Sequence, residues 1–198
     1  AIIGVIRWGR GRSDSKKLAL LAATQFLGIV AQIVVGGISV LTHLNPFAVG
    51  AHFLISIVLI SSTVSLRQRM LESNRASLLA TTRIMGRIVV GLSFVVINLG
   101  VVVTGSGPHA GDEMAKRFHL DPRTISWLHA DAVIALIALA FGTWILMKAT
   151  EHGNAGTIGQ RSMGIFLLIC LAQACIGYTQ YFTGLPEILV GAHLLGAT

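Results

Sequence analysis

Three histidines lie inside apolar stretches of this sequence: "FAVGAHFLIS" around His52, "SWLHADAV" around His129 and "ILVGAHLLGA" around His193. Each follows a proline by six or seven residues, counted from Pro46, Pro122 and Pro186. At 1.5 Å per residue that spacing sets all three roughly 8–10 Å along their helices, at one shared depth. Ionisable groups in a membrane span are rare and costly, and by default functional. A hydrogen bond to a neighbouring helix would account for any one of them alone. Matched depth and repetition point to a shared reason, and the leading one is ligation of haem iron from both faces by neutral imidazoles. Helix-bundle cores house cofactors in this way. Gly50, Ala51, Gly191 and Ala192, just before two of the histidines, leave room for a bulky planar ligand.

Other histidine chemistries fit less well. A zinc site wants three or four ligands with cysteines or carboxylates among them. The nearest acid, Asp131, is two residues from His129 and so points elsewhere. Proton relays usually leave Asp or Glu at mid-span, and essentially none stands there. His43, His109, His119 and His152 fall in connections, where an exposed histidine needs no special role.

The elements that must position these groups are transmembrane helices. Of 198 residues, 54% are hydrophobic and 12% charged, about half the roughly 25% of soluble domains; mean hydropathy is +0.76. Runs near the roughly 20 residues that cross a bilayer cover 18–41, 48–66, 88–105, 127–147 and 163–183. The stubs "AIIGVIRW" and "ILVGAHLLGAT" are too short to span; neither reads as a signal peptide, and both are expected to be parts of cut helices. The net charge of +7 is distributed by topology rather than for nucleic acid. Alternate connections carry 12 basic residues on one side, among them Arg7, Lys16, Arg67, Arg83 and Lys148, against Lys116, Arg117 and Arg123 on the other. That is the positive-inside pattern, which turns "THLNPF", the 105–124 loop and "GLPE" outward, with the histidines near the outer face of a cell membrane.

Shifted by 141 residues, the chain matches itself at ten of the 24 positions from 31 to 54, including Gln32 on Gln173, Gly36 on Gly177, Thr42 on Thr183 and His52 on His193. The offset spans an even number of helices, so the copies are parallel repeats. The expected fold is therefore an all-α integral membrane protein of two pseudo-repeated four-helix bundles. Eight spans are expected when intact, with six to seven represented. An incomplete N-terminal bundle over 1–84 is followed by a C-terminal bundle over 85–198. His129 and His193 form a complete pair in the second; the partner of His52 would lie 12 residues before residue 1.

Cys170 and Cys175 point about 140° apart on one helix, which disfavours a disulfide. "TGSGPHAGD" follows a membrane helix rather than a strand, against a phosphate loop. It reads as a helix stop, Gly105 and Gly107 permitting positive φ and Pro108 barring continuation, or as a lid whose His109 or nearby charges reach a haem propionate. Gln32 and Gln173 are expected to bond between helices.

"VVVTGSGPHAGD", "WLHADAV" and the closing "VGAHLLGAT" together closely resemble haem A synthase, over essentially the whole chain from that family's second span to its eighth. The resemblance implies haem B as cofactor, its iron ligated by His129 and His193. It also implies an N-terminal site in which His52 is one of two ligands to the iron of haem O, the substrate. The activity implied is oxidation of the C8 methyl of haem O to a formyl group, giving haem A for terminal oxidases. A catalytic carboxylate is implied upstream of residue 1, three residues before the partner histidine; Ser126 stands at its place in the second copy. The outer-loop cysteine pair of many members is missing from 105–124. Membrane lipid, haem O synthase, oxidase assembly factors and a second copy of the chain are the partners this reading admits. Its rivals are a dihaem b-type cytochrome that only transfers electrons, a transporter lined by histidines, and an assembly factor that hands haem on unaltered.

Overall fold

The computed structural model describes residues 14–71, 78–108 and 115–198. The opening stub, Arg7, Arg10, Arg12, Arg75 and the loop residues from His109 to Asp112 lie outside them. The described chain is all α-helix: α1 Ser15–Leu41, α2 Pro46–Leu71, α3 Ala80–Ser106, α4 Pro122–Thr150, α5 Gly153–Phe182 and α6 Glu187–Gly196. Helices α1 to α5, of 26 to 30 residues, are long and apolar enough to cross a membrane. The chain is an all-α membrane protein. Its large side chains agree: Ile33 is 71% exposed and Leu41 82%. Such surface is an aggregation liability in water and the natural surface in hydrocarbon. The helices overrun the apolar runs, so Lys16, Arg67, Arg83 and Lys148 sit on terminal helical turns rather than in connections. Long basic stems there can cover apolar surface while their charges reach water.

The chain forms two compact units. The first holds α1 and α2 with residues 115–118; the second holds α3 to α6. Helix α3 belongs to the second along its whole length.

In the first unit, α1 meets α2 along a stripe of small and amide residues, the usual glue between helices in lipid. Leu18 and Ala22 pack on Leu66 at one end. Next along the stripe, the Gln25 amide donates to Ser62 and accepts from the Thr63 hydroxyl at 2.6 Å. Gly28 then lets Leu59 close in; a Cβ there would fall 2.3 Å from a Leu59 methyl. The Gln32 amide nitrogen donates to the Ser56 hydroxyl at 2.6 Å and to the His52 carbonyl at 3.1 Å. Gln32 is thus the interhelical hydrogen-bonder its position suggests.

In the second unit, α3 packs on α4, α4 on α5 and α5 on α6. Val89, Leu136, Ala140 and Leu167 form its core. The α4–α5 turn is pinned by the Trp144 indole, which donates to the Gln160 carbonyl at 3.1 Å. The Gln160 amide in turn donates to the Met147 and Glu151 carbonyls at 3.1 and 3.0 Å. The buried Glu151 carboxylate accepts from the Leu79 amide at 2.8 Å, satisfying the start of α3.

The internal repeat extends to backbone conformation. His43 and Leu44 have φ of 52° and 55°; Gly184 and Leu185, 141 residues on, have 81° and 60°. The Leu44 amide donates to the Ser39 carbonyl at 2.8 Å, and that of Leu185 to the Gln180 carbonyl at 2.7 Å. Both are six-to-one bonds that close a helix C-terminus. The Thr42 and Thr183 hydroxyls each donate to the carbonyl four residues back at 2.7 Å. One expectation fails nearby. Gly105 is helical and Gly107 has φ −78° and ψ 171°, so α3 ends in extended backbone and not through positive φ. Pro108 disfavours a helical conformation for the residue before it, which is reason enough.

Gly28→Val should weaken the α1–α2 hairpin by about 1–3 kcal/mol through overpacking against Leu59. A lowered midpoint of denaturation in SDS checks it. Gly37→Ala, whose added carbon meets nothing within 4 Å, should leave that midpoint nearly unmoved.

Candidate functional site

Helix α4 begins with a built N-terminus. Asp121 accepts from the Thr124 amide at 2.9 Å and from its hydroxyl at 2.5 Å, and Pro122 takes the first helical position, where a missing N–H costs nothing. That start sets the phase of α4, so His129, seven residues past the proline, comes round to the inner side of the unit two turns later. Helix α6 starts after Pro186 and carries His193 at the matching distance. α4 and α6 are not among the helix pairs that pack closely. Their histidines nevertheless face each other, with ring centroids 6.5 Å apart and planes at 86°.

That separation has a chemical meaning. Metal–imidazole bonds of about 2.0–2.1 Å, plus the half-width of each ring, hold two trans imidazole centroids about 6–6.5 Å apart. Nδ1 of His129 and Nδ1 of His193 are both buried without a hydrogen-bond partner. An unanswered polar atom in such a place is costly unless a ligand answers it. The residues therefore fit a metal held between two imidazoles. Among the described residues no three His, Cys, Asp or Glu side chains gather, so the donor set is a pair and not the larger set of a zinc site. A planar macrocycle that already supplies four in-plane nitrogens needs only such a pair.

The same contact backs each ring. A Cβ on Gly100 of α3 would lie 3.3 Å from Cε1 of His129, and one on Gly177 of α5 would lie 3.3 Å from Cε1 of His193. The main-chain carbonyls of Val96 and Gln173, each four residues before its glycine, lie beside the two rings. In the first unit His52 repeats the arrangement against Gly36, at 3.2 Å, again with Nδ1 buried and unpaired. The sequence repeat marks Gly36 and Gly177 but gives them no role, and Gly100 stands outside it. What links them to histidines 16 or 29 residues away is helix rotation, which no local motif encodes.

Trp127 and Tyr181 pair edge-on, 6.3 Å apart, on the two helices flanking the His129 end of this unit. Ser126 donates to the Pro122 carbonyl at 2.7 Å. Gln173 departs from its counterpart: its amide abuts Gly196, and its Oε1 is buried without a partner. Ala197 stands where the first copy has Ser56. Cys170 and Cys175 are both free thiols.

Searches of family models, characterised proteins and solved structures returned no match to this chain. The functional reading rests on the residues themselves.

The Asp121 cap makes a pH prediction. Bonds from the Thr124 hydroxyl, and then its amide, hold the exposed Asp121 carboxyl below its ordinary range. A carboxyl depressed in the folded state stabilises above its unfolded pKa of about 3.9, and the contribution disappears as pH falls through the lower, folded value. Hydrogen exchange at the Thr124 and Ile125 amides should be protected near neutrality and lose protection in acid. Asp121→Asn, which keeps the cap without the charge, should flatten that dependence.

Proposed function

We propose that this chain acts as a haem A synthase, a multi-pass membrane oxidoreductase that converts the C8 methyl of haem O to a formyl group. In this reading the α3–α6 unit holds haem B through His129 and His193. The α1–α2 hairpin contributes His52 to the haem O site. The observation that carries it is the facing His129–His193 pair, spaced as two trans ligands of one metal and left with buried, unpaired nitrogens. The family assignment rests on the resemblance of "VVVTGSGPHAGD", "WLHADAV" and "VGAHLLGAT".

Within this reading the chain's own groups bind and orient. Two imidazoles fix the iron on an axis between α4 and α6, and a bound haem B supplies one-electron redox chemistry. Apolar helix faces exclude water from the macrocycle. In the hairpin, Gln32 and Ser56 both donate to the carbonyl of His52, at 3.1 Å each, and so fix the turn of α2 that presents the ring to substrate. The two copies differ around their histidines, with Ser56 against Ala197 and Gln25 against Phe166. That difference favours one substrate site and one cofactor site over two equal redox centres. The distribution of basic residues places both toward the outer face of a cell membrane.

The haems extracted from protein purified out of membranes should be haem B together with haem O or haem A, separated by chromatography. His193→Ala should lose haem B, and His52→Ala should lose the O or A component while keeping haem B. Haem B alone, with haem O supplied during expression, would turn the assignment to an electron-transfer cytochrome. No haem at all would overturn it.

A further inference from the structure

We propose that Gly36, Gly100 and Gly177 are positioning residues: each forms a side-chain-free seat against which one histidine ring lies flat enough and close enough to fix the plane and direction of its ligand nitrogen. The inference rests on the haem-ligating reading of His52, His129 and His193 and adds to it the part of the protein that aims them.

Three features carry it. The contact recurs in three separate helix hairpins, Gly36 with His52, Gly100 with His129 and Gly177 with His193, at 3.2–3.3 Å from the position a Cβ would take to Cε1. The approach is specific to these glycines. Gly37, Gly86, Gly91 and Gly142, also in the long helices, would place a Cβ in open space. Each seated ring also carries a buried Nδ1 with no partner, so helix packing alone does not account for its placement.

A methyl group on a seat would push the ring back by a few tenths of an ångström. Ligand sets must be held within about 0.5 Å and 10–20° to work, so the displacement consumes most of that tolerance. The glycine has a second effect in the C-terminal unit. With no side chain at that position, the ring reaches the helix backbone beside the Val96 or Gln173 carbonyl. An acceptor there favours an N–H on the ring nitrogen facing it, and so leaves the other nitrogen to offer its lone pair. The seat thus bears on tautomer as well as on direction.

The test compares Gly100→Ala with Gly91→Ala on the same helix, and Gly36→Ala with its neighbour Gly37→Ala, in protein purified with its haem. The readouts are haem affinity, midpoint potential and the low-spin ferric EPR signal, whose largest g value depends on the angle between the imidazole planes. Expected are haem binding weakened about 10–100-fold, as for other groups that orient a metal ligand, and a shifted EPR signal in Gly100→Ala. Gly91→Ala should match the wild type in both. Gly36→Ala should likewise weaken retention of haem O where Gly37→Ala does not. Wild-type spectra from the seat variants would overturn the inference and leave the haem reading standing. A wild-type protein that binds no bis-imidazole haem would overturn both. If Gly100→Ala fails to accumulate, Gly177→Ala, compared with Gly191→Ala, tests the same seat on α5.

Discussion

No water reaches the hydrocarbon core of a bilayer, so a polar atom carried into it must be answered by the chain or by a ligand. Most of this molecule follows from that constraint. Ser93, Thr104, Thr143 and Thr179 turn their hydroxyls back onto carbonyls four residues earlier, on their own helices. Gln25 and Gln32 find hydroxyls on the facing helix. Measured against that economy, three imidazole nitrogens with no partner are the exception, and they are the ones that share a depth and a setting. Where a structure so consistent leaves the same atom unanswered three times, function is the natural explanation.

The two copies of the repeat show which features duplication kept. The turn after α1 and the turn after α5 share two consecutive positive φ angles and the same closing hydrogen bonds, although one reads His-Leu and the other Gly-Leu. The seat and ring, Gly36 with His52 and Gly177 with His193, are kept as well. What diverged is the packing around them: an amide and hydroxyls in the first hairpin, Phe166 and Ala197 at the corresponding places in the second. Ligand placement stayed fixed while the surroundings changed, as expected of two sites that hold related molecules for different purposes.

Much of this was legible in the sequence. Apolar runs named all five long helices, because a backbone in lipid has almost no alternative to a helix of that length. Proline spacing gave the common depth of His52, His129 and His193, because rise along a helix is a fixed number per residue. Rotation about the axis was not legible. Whether His129 faces His193, and which glycine lies behind each ring, depends on how helices pack, and the low-contrast faces of a lipid-exposed helix hide that orientation. The turn at Leu44 and Leu185 was hidden for another reason. Leucine disfavours left-handed backbone, so its presence there reflects the closing hydrogen bonds rather than local preference.

The amide–hydroxyl bonds of the α1–α2 hairpin have a further consequence. Apolar side chains let one helix roll or slide against another at small cost, since dispersion has little sense of direction. Hydrogen bonds do have direction, and those of Gln25 and Gln32 with Ser62, Thr63 and Ser56 are all made at a single rotation and a single height of α1 on α2. The hairpin is keyed like a shaft in a slotted hub. His52 is therefore held at its angle by its own pair of helices, a half of a binding site that keeps its shape between one guest and the next.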